Sequence, residues 1–216
     1  MPTHPLLPIL PDDLQAVVNL DGDAPTIAGL TADSREVAGD YLFAALPGVN
    51  VHGITFAQKA ISQGACVVLT DAEGFARAAT QGLHAKCGWL VAEDPRAALS
   101  HIAAGFFAQQ PETIVAVTGT NGKTSVATFT RQLWRAMGLA GVNFGTTGVE
   151  GQVNAPLSHT TPEPVELHRL LANLAEQGVT HAAMEASSHG LAQRRLDGVR
   201  LAAAGFTHLT RDHLDY

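Results

Sequence analysis

Few residues of this sequence carry charge, and no stretch is strongly basic. Charged side chains make up 15% of the 216 residues and apolar side chains 46%. This composition supports a buried core and argues against intrinsic disorder. The formal net charge is −7, and Lys and Arg are not clustered anywhere in the chain. Because affinity for a phosphate backbone needs such clusters, we expect no nucleic-acid partner.

Cysteines and long apolar runs are also scarce. The two cysteines, Cys66 and Cys87, are predicted to be reduced thiols, because a disulfide scaffold or a metal site would need more partners at closer spacing. No run approaches the ~20 apolar residues of a membrane span. Met1 to Leu10 contains three prolines and no Lys or Arg, unlike a signal peptide. We therefore predict a cytoplasmic protein without membrane insertion.

The chain is predicted to form two blocks, residues 1–110 and 111–216, joined near Gln109 to Glu112. Short apolar runs bounded by Gly and Pro predict strands in the first block, and longer runs with helical spacing predict helices. The predicted strands are Tyr41 to Leu46, Cys66 to Leu69 and Trp89 to Val91, and the predicted helices are Phe56 to Gln63 and Pro95 to Ala108. Asp94 is the predicted N-cap of the second helix.

The second block repeats the alternation of strands and helices, which indicates an α/β fold with a mostly parallel sheet. The predicted strands are Thr113 to Val117, Val142 to Phe144, His181 to Met184 and Ala202 to Thr207, and the predicted helices are Thr124 to Met137 and Pro164 to Gln177. These are too few strands for a closed doubly wound sheet. We therefore expect the second domain to be incomplete within these residues.

A glycine-rich segment between a predicted strand and a predicted helix has the context of a phosphate-binding P-loop. Its residues are Thr118-Gly119-Thr120-Asn121-Gly122-Lys123-Thr124-Ser125. The glycines allow backbone amides to approach an oxyanion, the lysine neutralises phosphate charge, and the Thr124 hydroxyl can bind Mg²⁺. Val117 stands where the usual loop has its first glycine. The alternative is a glycine turn that only begins a helix; strand, lysine, threonine and helix together favour the phosphate loop.

Polar residues follow two predicted strands near this loop. Glu185 ends the strand that begins at His181, where a carboxylate can bind Mg²⁺ beside a P-loop. The alternative is a solvated glutamate at a strand end. Ser187 to Gly190 is predicted to be a ligand-binding loop because it combines short hydroxyls with a glycine.

Two further polar segments have two interpretations each on chemistry alone. Thr160 to Pro164 is either a capped helix entry or a ligand loop at the carboxyl edge of the sheet. Thr207 to Tyr216 is either the capped start of a helix or part of the site.

Five segments, taken together, resemble the Mur ligase family. They are TADSREVAGDYLFAALPG followed by His52-Gly53, then VTGTNGKTS, HTTPEP, MEASSHGLAQRR and FTHLTRDHLDY. Their order and spacing are those of the family, and the resemblance covers nearly the whole chain from about Thr31. MEASSHGL and RDHLDY favour the member that adds the third amino acid of the cell-wall peptide.

The resemblance implies a UDP-substrate domain followed by a P-loop-type ATP-binding domain, with ATP and Mg²⁺ as cofactors. It implies an ATP-dependent amide ligase acting on UDP-N-acetylmuramoyl-L-alanyl-D-glutamate in peptidoglycan precursor synthesis. The γ-carboxylate of D-glutamate would be phosphorylated to an acyl phosphate. The amine of a diamino acid, meso-diaminopimelate or L-lysine, would then attack it. The sequence leaves both diamino acids open.

The resemblance also carries site residues over, position by position. Those matching the ATP loop are Gly119, Thr120, Asn121, Gly122, Lys123, Thr124 and Ser125. The catalytic set is Lys123, Glu185 and His213, and the magnesium ligands are Thr124, Glu185 and His213. Contacts to the uridine end match Ser34, Val49, Asn50 and Val51. Contacts to the muramoyl-dipeptide end match His159, Thr160, Thr161, Ser187, Gln193 and Arg195. His159 replaces a frequent Asn, and Ala32 replaces a larger apolar residue.

Family members have a third, C-terminal domain and a modified lysine beyond the position of Tyr216. We therefore expect this chain not to form amide bonds alone, and to expose strand edges or apolar helix faces. The alternatives are a non-catalytic module that binds nucleotide or a UDP-sugar, another Mur ligase, a folylpolyglutamate synthase relative and an unrelated P-loop phosphotransferase.

Overall fold

The computed structural model describes residues 3–12, 14–20 and 25–210. The chain divides into two compact units, Met1–Phe106 and Phe107–Tyr216. Each unit contains a five-stranded sheet and is α/β, so the predicted fold class is confirmed. No helix within the described ranges is long and apolar enough to cross a membrane.

The first unit is built on one mostly parallel sheet. Its strands are β1 (His4–Pro5), β2 (Leu14–Val18), β3 (Thr26–Ile27), β4 (Gly29–Thr31), β5 (Tyr41–Ala44), β6 (Ala65–Thr70) and β7 (Gly88–Ala92), and its helices are α1 (Ala57–Ser62), α2 (Ala72–Thr80) and α3 (Pro95–Phe107). The strand order is β2-β7-β6-β5-β4; β2 runs antiparallel to β7, and the other neighbours are parallel. A separate antiparallel pair joins β1 and β3.

Helix caps in the first unit follow local sequence signals. Asp94 Oδ1 accepts hydrogen bonds from the backbone amides of Arg96 and Ala97, at 3.0 and 3.2 Å, as the Asp-Pro start predicts. Asp71 caps α2 by accepting from the amide of Gly74 at 2.7 Å. Neither α2 nor β2 was predicted from the sequence, because α2 is a short alanine-rich segment and β2 is a partly exposed edge strand.

The second unit carries the phosphate-loop motif at the end of an inner strand. Its strands are β8 (Thr113–Thr118), β9 (Gly141–Gly145), β10 (Gly148–Gly151), β11 (His181–Glu185) and β12 (Leu201–Phe206), and its helices are α4 (Lys123–Ala136), α5 (Pro164–Glu176) and α6 (Ser188–Ala192). The strand order is β10-β9-β11-β8-β12, and only β10 is antiparallel to its neighbour. The carboxyl ends of β8, β9, β11 and β12 therefore share one edge of the sheet.

Apolar residues of strands and helices form the core of each unit. In the first, Phe43, Val68 and Trp89 pack in one buried cluster with alanines of α1 and α2. In the second, strand residues including Phe144 pack against Leu167, Leu171 and Leu174 of α5, whose spacing places them on one helix face. Cys66 and Cys87 are free, and burial raises the pKa of the Cys87 thiol to about 12. Both thiols therefore remain protonated near neutral pH.

Apolar residues are exposed on β12 and along α4, which agrees with the expectation from the sequence. All six residues of β12 are exposed, and Phe206 is 62% exposed. Along α4 the exposed apolar side chains are Val126, Phe129, Leu133 and Met137. Their spacing places them in one stripe on the helix.

Candidate functional site

The predicted phosphate loop lies between β8 and α4. Gly119 and Gly122 have φ angles of +123° and +87°, which L side chains rarely adopt. A Cβ at Gly119 would collide with Thr207 Oγ1 and lie 3.0 Å from the carbonyl oxygen of His208. Glycine is therefore required at Gly119 both by the backbone angle and by the close approach of another segment.

Residues 207–210, which follow β12, hold this loop in place. Thr207 Oγ1 lies 2.8 Å from the carbonyl oxygen of Asn121 and 3.3 Å from that of Thr118. The amide of Thr120 donates to the carbonyl of His208 at 2.9 Å, and the amide of Thr210 donates to Thr120 Oγ1 at 3.0 Å. The loop is thus braced by residues about ninety positions later in the chain.

The charged and hydroxyl groups of the loop occupy the first turn of α4. Lys123 Nζ donates to the carbonyl oxygens of Gly119 and Thr120 at 2.7 and 3.1 Å, so its ammonium lies over the loop. Asn121 and Ser125 are exposed. A helix N-terminus with this lysine has the geometry for binding a phosphate group.

Glu185 ends β11 and reaches the first turn of α4. It is 2% exposed, and its Oε1 accepts from Thr124 Oγ1 at 3.0 Å. The same oxygen accepts from the amide of Thr146 at 3.0 Å, and Oε2 accepts from Thr146 Oγ1 at 3.2 Å. A Cβ on Gly145 would collide with the carboxylate. The buried charge therefore has hydrogen-bond partners for both oxygens, as a buried carboxylate requires.

The Thr160-Thr161 segment adjoins Glu185. Thr160 Oγ1 lies 3.1 Å from Thr146 Oγ1. Thr161 is 1% exposed; its hydroxyl donates to the carbonyl of Glu185 at 3.0 Å and accepts from the amide of Ser187 at 2.9 Å. This segment precedes α5, whose N-cap Glu163 makes no side-chain cap hydrogen bond, and it also reaches the carboxyl end of β11. Its role as a ligand loop stays a prediction.

Arg195 lies at the same edge and is 8% exposed. Its guanidinium donates to the carbonyl of Thr161, to Gln193 Oε1 and to the carboxylate of Glu163. Gln193 and Arg195, both predicted substrate contacts, are thus hydrogen-bonded to each other. Glu163 was not among the predicted site residues, although it stands next to the Thr-Thr-Pro segment.

Two other predicted residues of this unit have different environments. Ser187 caps α6, its Oγ accepting from the amide of Gly190 at 3.1 Å. The prediction of a loop from Ser187 to Gly190 is wrong, because this serine cap initiates a short helix at Ser188. His159 is exposed, and its Nδ1 lies 3.1 Å from Ser158 Oγ.

The uridine-end candidates lie at the carboxyl edge of the first unit's sheet. Ser34 follows β4 and is flanked by an ion pair in which Arg35 holds the pKa of Asp33 down to about 2, mainly through hydrogen bonds. The segment Val49–Val51 follows the parallel neighbour β5 and is exposed throughout. The loop is closed by a 2.8 Å hydrogen bond from the Gly53 amide to Leu46.

The same edge contains a polar pair that sequence reasoning missed. His52 Nδ1 accepts from the amide of Ile54 at 3.0 Å, so the neutral ring carries its proton on Nε2. Nε2 lies 3.1 Å from Asp71 Oδ1, the cap of α2. His52 caps a short 3-10 helix, Gly53–Phe56, and Asp71 caps α2, so the pair joins two helix starts next to Val49–Val51. Asp71 directly precedes an alanine-rich segment, which is a local signal for a helix cap.

The fold brings two of the three candidate magnesium ligands together. Thr124 and Glu185 are in contact, whereas His213 lies outside the described residues. Among the residues that the structure describes, no group of three or more His, Cys, Asp or Glu could hold a metal. Mg²⁺ commonly uses one or two protein oxygens and completes its shell with water and substrate phosphates. The Thr124 and Glu185 oxygens beside the loop fit that donor set.

The fold and this edge define an α/β protein with a glycine-rich loop between a parallel strand and a helix, as in P-loop proteins. Comparison with known families is more specific. The model of the Mur ligase family, catalytic domain, matches residues 26–107, and that of the Mur ligase middle domain matches residues 117–216. Together they account for most of the sequence, and the chain belongs to the Mur ligase family.

Relatives of known name agree with this family. The chain is 55% identical over 192 residues to the UDP-N-acetylmuramoyl-L-alanyl-D-glutamate--2,6-diaminopimelate ligase of Brucella melitensis, covering 88% of this chain and 38% of that protein. It is 53% identical over 202 residues to the ligase of the same name from Rhizobium meliloti, covering 91% and 40%.

A solved structure of a ligase with this name superposes with a TM-score of 0.74 at 32% identity, covering 91% of this chain and 40% of that one. The chain thus spans about two fifths of the length of these relatives.

Proposed function

We propose that this chain supplies the UDP-substrate unit and the ATP unit of an amide ligase in peptidoglycan precursor synthesis. The substrate would be UDP-N-acetylmuramoyl-L-alanyl-D-glutamate. The acid added would be 2,6-diaminopimelate, which is named for relatives about 50% identical to this chain. The observation that carries the proposal is the contact of Glu185 with Thr124 in the first turn after the phosphate loop.

The reaction has two balanced steps. An oxygen of the D-glutamate γ-carboxylate attacks the terminal phosphorus of ATP, and ADP leaves. The amine of the diamino acid then attacks the carbonyl carbon, phosphate leaves with the former carboxylate oxygen, and one amine proton is released. Such chemistry depends mainly on positioning and charge neutralisation. Mg²⁺, when bound, supplies further neutralisation of phosphate charge.

The residues of the second unit have complementary roles in this proposal. Lys123 and the amides of Gly119–Ser125 bind the triphosphate, and Thr124 and Glu185 hold the metal. The residues assigned to the muramoyl dipeptide are His159, Thr160, Thr161, Ser187, Gln193 and Arg195. The hydrogen bonds that join Thr161, Gln193 and Arg195 support a common binding surface, because they fix these groups relative to Glu185.

The first unit would bind the uridine end of the substrate. Ser34 and Val49–Val51 follow adjacent parallel strands, which supports a shared role at that edge. The catalytic and metal-binding assignment of His213 rests on the family resemblance. In a titration of the chain with the UDP-dipeptide, backbone NMR signals of Ser34 and Asn50 should shift; shifts confined to other parts of the first unit would contradict the assignment.

Substitution of Lys123 tests the nucleotide site. Lys123→Ala should weaken binding of a non-hydrolysable ATP analogue, measured by calorimetry with Mg²⁺, by more than ~1.5 kcal/mol, because a charge-assisted contact is lost. Arg135→Ala is the matched control, since it removes a cation from the last turn of the same helix. Equal affinities of Lys123→Ala and the unsubstituted chain would reject the phosphate-loop assignment.

A further inference from the structure

Thr146 contacts both carboxylate oxygens of Glu185. Its amide donates to Oε1 at 3.0 Å and its hydroxyl to Oε2 at 3.2 Å. Thr124 contacts only Oε1, at 3.0 Å. Two bonds from one residue to the two oxygens restrain the rotation of the carboxylate plane, which a single bond to one oxygen does not.

The backbone of Glu185 is held separately from its side chain. Its carbonyl accepts from Thr161 Oγ1 at 3.0 Å, and its strand pairs with β8. These contacts keep the residue at the carboxyl edge but leave the carboxylate orientation to Thr124 and Thr146. A metal ion bound to a lone pair of the Thr124 hydroxyl would leave the proton of that hydroxyl on Oε1, while Thr146 holds both Oε1 and Oε2.

The direction of the hydrogen bonds follows from the chemistry of the groups. An ionised carboxylate only accepts, so the one proton of the Thr146 hydroxyl is used on Glu185. The 3.1 Å contact between the Thr146 and Thr160 hydroxyls then requires Thr160 to be the donor. The hydroxyl proton of Thr160 is then donated to Thr146, so Thr160 can only accept a hydrogen bond from a ligand.

We propose that Thr146 is a positioning residue that orients Glu185 toward the nucleotide-bound metal and makes Thr160 a hydrogen-bond acceptor for the substrate. The inference rests on the proposed role of Glu185. We therefore expect a hydrogen-bond donor of the substrate, such as a peptide N–H, to bind beside Thr160. Thr146 thereby links the metal end of the site to the segment that enters α5.

The exposed position of Thr146 makes a direct test possible, because its substitution removes little buried surface. The variants are Thr146→Val and Thr146→Ala, which remove the hydroxyl, and Thr146→Ser, which retains it. Thr130→Val is the matched control: it removes a hydroxyl that donates to the Val126 carbonyl within α4, at 2.8 Å. Urea unfolding of each variant checks that the fold is retained.

The measurement is the affinity for AMP-PNP by calorimetry, once with Mg²⁺ and once with EDTA, and the readout is the ratio of the two dissociation constants. Thr146→Val and Thr146→Ala should each lower the metal-dependent gain by about tenfold, the effect of one charge-assisted hydrogen bond. Thr146→Ser and Thr130→Val should stay within about twofold of the unsubstituted chain, because the hydroxyl to Glu185 is kept.

The outcomes separate this inference from the proposed function. An unchanged ratio in Thr146→Val and Thr146→Ala, with normal metal dependence in the unsubstituted chain, would overturn the role of Thr146 alone. If Thr146→Ser lowered the metal-dependent gain in affinity as much as Thr146→Val does, the role of Thr146 would also be overturned, because the hydroxyl would then not be the relevant group. No metal dependence in the unsubstituted chain would overturn both the metal role of Glu185 and the role of Thr146.

Discussion

The two units share a plan but differ in how firmly their candidate residues are held. Each has four parallel strands with one antiparallel strand at an edge of the sheet, and each presents polar residues at the carboxyl edge. In the second unit, hydrogen bonds link Thr124, Glu185, Thr146 and Thr160 in sequence. In the first, Val49 is fully exposed.

This difference matches the chemistry proposed for each edge. Stabilising charge on a transferred phosphoryl group needs donors fixed in advance, since reorganising them would cost free energy during the reaction. Binding a uridine group needs only a loop that can order around it, and this ordering lowers the affinity through lost conformational entropy. The comparison predicts that substitutions at the carboxyl edge of the second unit lower the unfolding free energy more than substitutions in the Val49–Val51 loop of the first unit.

The largest effect is expected for Gly119→Ala. The methyl group would meet Thr207 and the backbone at His208, at a φ of +123°. We expect a loss of more than ~2 kcal/mol in unfolding free energy, together with loss of nucleotide binding. Urea unfolding and calorimetry measure the two quantities.

Gly138→Ala is the control for this prediction. Gly138 also has positive φ, +76°, but a Cβ there meets nothing within 4 Å. Gly138→Ala should lower the unfolding free energy by about 1 kcal/mol, from backbone strain alone, and should leave nucleotide affinity unchanged. Equal costs for the two substitutions would show that residues 207–210 do not constrain the phosphate loop.

An intermediate effect is expected in the first unit, at the His52–Asp71 pair. Each of His52→Ala and Asp71→Ala should cost about 1–2 kcal/mol of unfolding free energy, since each removes a helix cap and a hydrogen bond. In a double-mutant cycle the coupling should exceed about 0.5 kcal/mol because the side chains are in contact.

The exposed Glu73–Arg77 pair in α2, 3.8 Å apart, provides the matched cycle. Its coupling should be no more than about 0.5 kcal/mol. If the two cycles give the same coupling, the His52–Asp71 contact contributes nothing beyond a surface pair, and the edge of the first unit is less organised than we describe.

The smallest effect on stability is expected for Val49→Ser. The side chain is fully exposed, so unfolding free energy should change by less than about 0.5 kcal/mol. Affinity for the UDP-dipeptide, measured by calorimetry, should nevertheless fall, whereas Val17→Ser on the edge strand β2 should leave it unchanged. An unaltered affinity in Val49→Ser would remove this residue from the proposed uridine contacts.

The sequence predicted features that depend on neighbouring residues. The strand, glycine loop and helix around Lys123 were recognisable, as was the Asp94 cap, because each is specified by residues close together in the chain. The position of Glu185 beside Thr124 also followed, since parallel strands end at one edge of a sheet.

What the sequence did not reveal depends on contacts distant in the chain. From the sequence, Thr146 resembles an ordinary turn residue. It contacts Glu185, 39 positions later in the chain, only because β9 pairs with β11. Glu163 reads as a polar residue at a helix start until Arg195 lies against it. No local pattern distinguishes these residues from surface polar groups, because their partners are chosen by the tertiary fold.

The bracing of the phosphate loop by Thr207 and Thr210 has a consequence for synthesis of the protein on the ribosome. Chains are made from the N-terminus, and domains fold as their residues emerge. A nascent chain that has reached Ala136 contains the whole loop and its helix, yet not the groups that hold Asn121 and Thr120. Nucleotide binding by the nascent chain should therefore begin only after residue 210 has left the exit tunnel, and until then the loop is only a potential binding site.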